Sequence, residues 1–158
     1  MPDPGSESTE SESKITTVLA IDFGLRRIGI ASGDTLTRTA RPRGAIGNGH
    51  GGPDWAALQR ILDDVRPARI AVGEPYNADG SASALTEIAR RFAAELRQRS
   101  SLPVDLVDER WSSQDAEERL RAARASGLKK RRVTAEDVDA AAAAVILERW
   151  FEQQPTHS

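Results

Sequence analysis

The stretch Val18–Gly33, VLAIDFGLRRIGIASG, constrains this chain more than any other. Val18 to Ile21 is a short apolar run of the kind that forms a strand covered on both faces. Asp22 follows at once, where a buried carboxylate is costly unless a cation pairs with it. Gly24 offers a turn position, Arg26 and Arg27 supply cations, and Ile28 to Ala31 begins a second strand. An acid at a strand end beside a glycine suits a metal ion or a phosphate. Asp22 as a simple turn cap is the competing explanation, since Asp serves there often.

Asp22-Phe-Gly also spells the metal-binding triplet of protein kinases, but that triplet belongs late in a longer chain, behind a Gly-rich loop. Here only a polar segment precedes it. Sugar kinases and actin-like ATPases open with an acid-x-Gly hairpin too, yet they need a second comparable domain. At 158 residues the chain predicts one domain with a sizeable core. A hydrophobic fraction of 39% and a charged fraction of 29% are ordinary for a globular protein. The formal net charge of -2 gives no global nucleic-acid signature, although Asp3, Glu7, Glu10 and Glu12 stand in a leading segment without a base. The chain has no cysteine, which leaves no disulfide framework, thiolate nucleophile or Cys-based zinc site and is compatible with a cytoplasmic home. No apolar run approaches the length of a membrane span, and the N-terminus has no basic-then-apolar signal. A soluble cytoplasmic protein without a membrane partner is the expectation.

Residues 1–14 form an acidic, Ser- and Pro-rich tail expected to be disordered, 15–152 the folded domain, and 153–158 a flexible C-terminal tail. Beyond the opening hairpin, 37–46 predicts a third, more exposed strand in which Pro42 calls for an edge or a bulge. Residues 47–52 predict a flexible Gly-rich loop. A helix is expected to open at Pro53 and stop at Pro67, with Trp55, Leu58, Ile61, Leu62 and Val65 as its stripe. A strand over 69–73, a helix over 83–99, a strand over 103–107 and a helix over 112–125 follow. Thr134 with Asp137 makes an acidic capping box for a last helix reaching Phe151. The order β-β-β-α-β-α-β-α-α implies an α/β fold with a mixed five-stranded sheet and helices on both faces.

Acids recur where this topology would gather them. Asp22 ends the first strand, Glu109 lies just past the strand ending at Val107, and Asp139 sits in the first turns of the last helix with Glu136 on the same face. Converging carboxylates repel and need a compensating cation. Hard oxygen donors, with no Cys and only His50 and His157, point to Mg²⁺ or Mn²⁺ rather than zinc. Such ions can activate a water and stabilise the leaving oxygen of a phosphodiester. The acids also have plainer explanations. Asp108 and Glu109 suit a helix's first turn, and Glu136 and Asp137 read better as dipole and capping residues. Asp139 is harder to dismiss, because it precedes Ala140 to Ala144, a small-residue row that lets the helix lie close on the sheet. Arg26, Arg27 and Arg110 each adjoin a candidate ligand and are expected to position phosphate or to pair with the acids. Lys129, Lys130, Arg131 and Arg132 are expected to hold flanking backbone, or to be a solvated loop.

Four segments in order, Asp22–Ala31, Val72–Gly80, Asp108–Ser113 and Val138–Leu147, resemble the YqgF family of Holliday-junction-resolvase-like nucleases linked to pre-16S rRNA. The resemblance covers about 15–151. It implies an RNase H-like fold, a catalytic metal site at Asp22, Glu109 and Asp139, and trimming of the 5′ end of the small-subunit rRNA precursor. Precursor rRNA is the implied partner and the ribosome a further one, with the choice between monomer and dimer open. Glu74 departs from the family's usual hydrophobic residue between Gly and Pro and is either an extra ligand or a solvent-facing loop substitution. Trp111 replaces a usual Leu and is expected to pack. Two rival functions remain at this stage: a non-catalytic RNA-binding ribosome-assembly or transcription factor, and a resolvase of DNA junctions on the same fold.

Overall fold

A computed structural model describes residues 15–108 and 133–154. β1 (Thr17–Phe23) and β2 (Arg27–Asp34) form the expected hairpin, paired antiparallel from Thr17 opposite Asp34 to Phe23 opposite Ile28. β3 (Ala40–Gly49) continues the meander, β4 (Gly52–Pro53) folds back on it, and β5 (Arg69–Glu74) and β6 (Val104–Asp108) add in parallel beyond β1. The sheet order is β4-β3-β2-β1-β5-β6. Three described helices cover it: α1 (Trp55–Val65), α2 (Ala84–Ser100) and α3 (Ala135–Gln153). The helix expected over 112–125 lies outside the described residues.

Alternation along the strands splits the core into two layers. Leu19, Ile21, Phe23, Ile28 and Ile30 face α1 and α2, where they meet Leu58, Phe92 and Leu96. Val18, Ala20, Ala31 and Ala71 face α3, where they meet Ala143, Ala144, Ile146 and Leu147. Alanine lies against alanine across this second layer, so the helix packs close to the sheet, as the small-residue row predicts. Trp150 pins the far end of α3 by donating from Nε1 to Asp105 Oδ2 at 2.8 Å, and Arg69 Nη1 contacts both oxygens of the same carboxylate at 2.8 and 2.9 Å.

Three local expectations are corrected. The sheet has six strands rather than five, because Gly52, at φ +88°, lets the chain reverse and pair Pro53 with Asn48. Residues 47–52 are therefore the end of β3, a hairpin turn at His50 and Gly51, and the start of β4 rather than a free loop. Pro53 belongs to that hairpin, and α1 begins only at Trp55, where the Asp54 side chain accepts from the Ala57 amide at 3.0 Å. β3 starts at Ala40 rather than Thr37, because the Asp34 carboxylate accepts the Leu36 and Thr37 amides and holds 34–37 as a turn. The bulge foreseen at Pro42 is present: Ala31 pairs with Pro42 and Ile30 with Gly44, leaving Arg43 as the extra residue.

Candidate active site

Asp22 reaches its position by strand arithmetic. Val18 and Ala20 are buried in the α3 layer, and alternation carries Asp22 to that same face. Its direct cross-strand partner is Gly29, and opposed residues in an antiparallel pair share a face. A Cβ built on Gly29 would lie 2.0 Å from the carbonyl oxygen of Asp139 and 3.1 Å from its Cβ. Only a glycine lets α3 come this near, and the missing side chain is what brings the starts of two acids, Asp22 and Asp139, to one place at the end of β1. Both residues are half-buried.

The Asp139 carboxylate is held by Arg27, whose Nε donates to Oδ2 at 2.6 Å. That hydrogen bond and the negative charge of Asp139 raise the Arg27 guanidinium above its ordinary range, with a smaller contribution from Glu136. The Arg26 side chain is exposed and makes no hydrogen bond or ion pair among the described residues. Asp137 is occupied in the capping box with Thr134, as expected: its Oδ2 accepts the Thr134 amide at 2.9 Å, and its own amide donates to Thr134 Oγ1.

Asn48 fixes the turn that carries the two arginines. Its Nδ2 donates to the Gly24 carbonyl at 2.7 Å, and its amide donates to the Arg26 carbonyl at 2.9 Å. Gly24 itself admits no side chain, since a Cβ there would sit 2.5 Å from the Arg27 carbonyl oxygen. Sequence reasoning missed Asn48, and its only signal was an isolated amide side chain between Gly47 and Gly49.

Glu74 is neither solvent-facing nor in a loop. It is the last residue of β5, shares the face of Val72, and lies under α2, opposite the α3 face of Asp22 and Asp139. Its side chain is only 14% exposed and accepts from Arg90 Nε at 2.5 Å. Arg90 also donates to the Tyr76 hydroxyl at 3.1 Å, and its guanidinium is held above its ordinary range chiefly by Glu74. Asp108 ends β6 opposite Glu74, and its carbonyl accepts from Arg149 Nη1 at 3.1 Å. Glu109, Arg110, Trp111, Lys129, Lys130, Arg131 and Arg132 lie outside the described residues. Among the described residues no three His, Asp or Glu side chains converge on one point, and no helix is long and apolar enough to cross a membrane.

The family model described as "RuvX: Holliday junction resolvase" matches residues 16–153. A protein of Xanthomonas campestris pv. campestris named "Putative pre-16S rRNA nuclease" is 47% identical over 135 residues, covering 85% of this chain and 86% of its own. One of the same name from Xanthomonas axonopodis pv. citri is also 47% identical over 135 residues, with the same shares covered. Among solved structures, Thermus thermophilus RuvC in complex with a Holliday junction substrate has a TM-score of 0.55 at 20% identity, covering 87% of this chain and 94% of that one. The yeast mitochondrial Holliday junction resolvase Ydc2 has a TM-score of 0.50 at 12% identity, covering 95% and 85%. These two likenesses show the fold, which is RuvC-like and RNase H-like. The strand-end acid, the glycine that seats Asp139 against it and the match across nearly the whole chain agree: this chain belongs to the RuvX family of nucleases.

Proposed function

We propose that this protein is a metal-dependent nuclease that hydrolyses phosphodiester bonds in the precursor of small-subunit rRNA. The observation that carries the reading is the approach of Asp139 to Asp22 across Gly29, with a guanidinium already bonded to Asp139. The site fits a divalent ion on two counts. Its donors are hard carboxylate oxygens, and Arg27 shows that positive charge is favoured at Asp139. Asp22, Asp139 and Glu109 would hold Mg²⁺ or Mn²⁺. When bound, the metal would supply Lewis-acid activation of a water and charge stabilisation at the leaving oxygen.

The chain's own side chains do the positioning. Arg26, exposed on the turn, and Arg27 beside it bind the non-bridging oxygens of the phosphate. Asn48 keeps that turn in register with β2, so both arginines reach the phosphate from a fixed backbone. Arg110 adds a further cation, and Lys129, Lys130, Arg131 and Arg132 contact flanking backbone as point charges. The substrate is chosen from the relatives' name, and the ribosome is a further partner in this reading. DNA junctions are the second substrate, favoured by the family's description and by the RuvC complex.

The test is cleavage of a 5′-extended small-subunit rRNA fragment with Mn²⁺, beside a four-way DNA junction. Asp22→Asn and Asp139→Asn should each slow cleavage at least about a hundredfold while the fold persists. Full activity in either variant sinks the site. Cleavage of the junction alone moves the substrate to DNA, and RNA binding without metal binding or cleavage replaces the enzyme with a binding module.

A further inference from the structure

β3 carries a charge pattern that the carboxylate site does not use. From Thr35 to Pro53 the chain has Arg38, Arg41 and Arg43 and no acid, within a sequence whose formal net charge is -2. Among the described residues the outer edge of β3 is paired only at Asn48 and Gly49, so Ala40–Gly47 is an open edge. A Cβ built on Gly44, Gly47 or Gly49 would meet nothing within 4 Å. Large partners can therefore approach this backbone closely.

The arginines are not equivalent. Arg38 is turned inward, donating to the Phe151 carbonyl with its guanidinium 5.8 Å from that ring's centroid. The Arg41 side chain is exposed and makes no hydrogen bond or ion pair among the described residues. Arg43, the bulged residue, donates through Nε to Ser32 Oγ, and its Nη1 lies 3.9 Å from Asp64. Ser32 is a buried hydroxyl, so Arg43 is aimed rather than free. With Ser32, Thr37, Thr39 and the acids Asp34 and Asp64, these two arginines line an open cleft of about 370 Å³. The one acid of the adjoining turn, Asp34, already accepts from two amides and the Thr37 hydroxyl.

Arg41 pairs with Ser32, and Ser32 with Leu19 of the α1–α2 layer, so Arg41 lies on the face of the sheet opposite the α3 face of Asp22 and Asp139. The open edge of β3 joins the two faces, and a structured nucleic acid is large enough to wrap it. We propose that Arg41 and Arg43 make the β3 edge a second contact for the phosphodiester backbone of RNA, gripping a segment that passes around this edge from the carboxylate site. This rests on the nuclease reading above. The plainer alternative is that arginines guard an open edge against pairing with another sheet. The two explanations part on the sign of the charge: an edge can also be guarded by glutamate, whereas a glutamate repels phosphate.

The experiment is fluorescence anisotropy of an RNA hairpin in EDTA, across a salt series, with wild type, Arg41→Glu and Arg41→Glu/Arg43→Glu. The single variant, which breaks no side-chain hydrogen bond or ion pair among the described residues, should weaken binding about threefold or more and the double about tenfold or more. The slope of log K against log salt should become shallower by about one and about two, respectively. Because phosphates are read, a DNA hairpin should lose affinity in step. Affinity within twofold of wild type and an unchanged slope in both variants would overturn the proposal, leaving the edge-guard explanation. A loss confined to DNA would overturn the choice of RNA. If Asp22→Asn abolishes cleavage while the Arg41 and Arg43 variants bind normally, this inference alone falls; a wild type that binds no nucleic acid removes both.

Discussion

In the proposed site, the guanidinium of Arg27 occupies space beside Asp139 for which a divalent ion on the same carboxylate would have to compete. It is 41% exposed, so solvent screens the pair and it can be displaced. Removing it should expose Asp139 to metal and at the same time take away a phosphate contact. Arg27→Ala is therefore expected to bind Mn²⁺ roughly three- to fivefold more tightly in calorimetry, while cleaving RNA more slowly. Weaker metal binding in the variant would mean that Arg27 orients Asp139 rather than competing for it. At this scale the sequence was legible where chemistry is local. Asp22 stood out as an acid ending an apolar run, and Asp139 as an acid beside small residues. Gly29 and Asn48 were not legible, because what they do depends on α3 and on the β1–β2 turn, partners distant in sequence or register.

Between elements, the link from β5 to α2 shows how a position read as loop becomes structural. Glu74, Tyr76 and Arg90 interlock there, with the Arg90 guanidinium also 6.0 Å from the Tyr76 ring centroid. The Tyr76 hydroxyl donates to the Glu74 carboxylate, which favours the neutral phenol, and partial burial adds to this. Arg90 pulls the other way but more weakly, so Tyr76 ionises above its ordinary value of 10.0. A folded-state value that is raised stabilises the native state below the unfolded value, and that contribution is lost as pH climbs through the folded one. Tyr76 is the chain's only tyrosine, so tyrosinate absorbance reports it alone. The midpoint should lie above 10.0 in wild type and fall in Glu74→Ala, where Arg90 remains to stabilise the phenolate. A midpoint unmoved by the substitution would show that burial, not Glu74, sets it. Helix starts were easier to read than this link: Ser83 and Thr134 cap α2 and α3 with reciprocal bonds, a signal contained in four adjacent residues. The start of α1 was misread because a proline suits both a helix's first turn and a hairpin, and only pairing with Asn48 decides between them.

Over the whole molecule, the distance between α3 and the sheet is the quantity that joins stability to the site. Ala20, Ala31 and Ala71 on the strands meet Ala143 and Ala144 on the helix, and Gly29 lets the Asp139 backbone down onto the sheet one helical turn earlier. The run of alanines announced a closely packed helix in the sequence, but the particular strand glycine beneath it follows only from the register of β1 with β2. Ala143 is fully buried, so a larger side chain there has no room to turn aside. Ala143→Leu should lift α3 and cost about 1–3 kcal/mol of stability, read as a lower midpoint in urea with an unchanged slope. The same lift draws Asp139, four residues upstream, away from Asp22. Mn²⁺ affinity, measured well below the melting temperature, should therefore fall in a variant that is still folded. Overpacking elsewhere in the core, as in Ala93→Leu under α2, should cost similar stability yet leave metal binding in place, since that layer lies on the opposite face of the sheet. If both variants bind Mn²⁺ as the wild type does, the close packing of α3 serves the fold alone, and the two acids do not depend on it to act together.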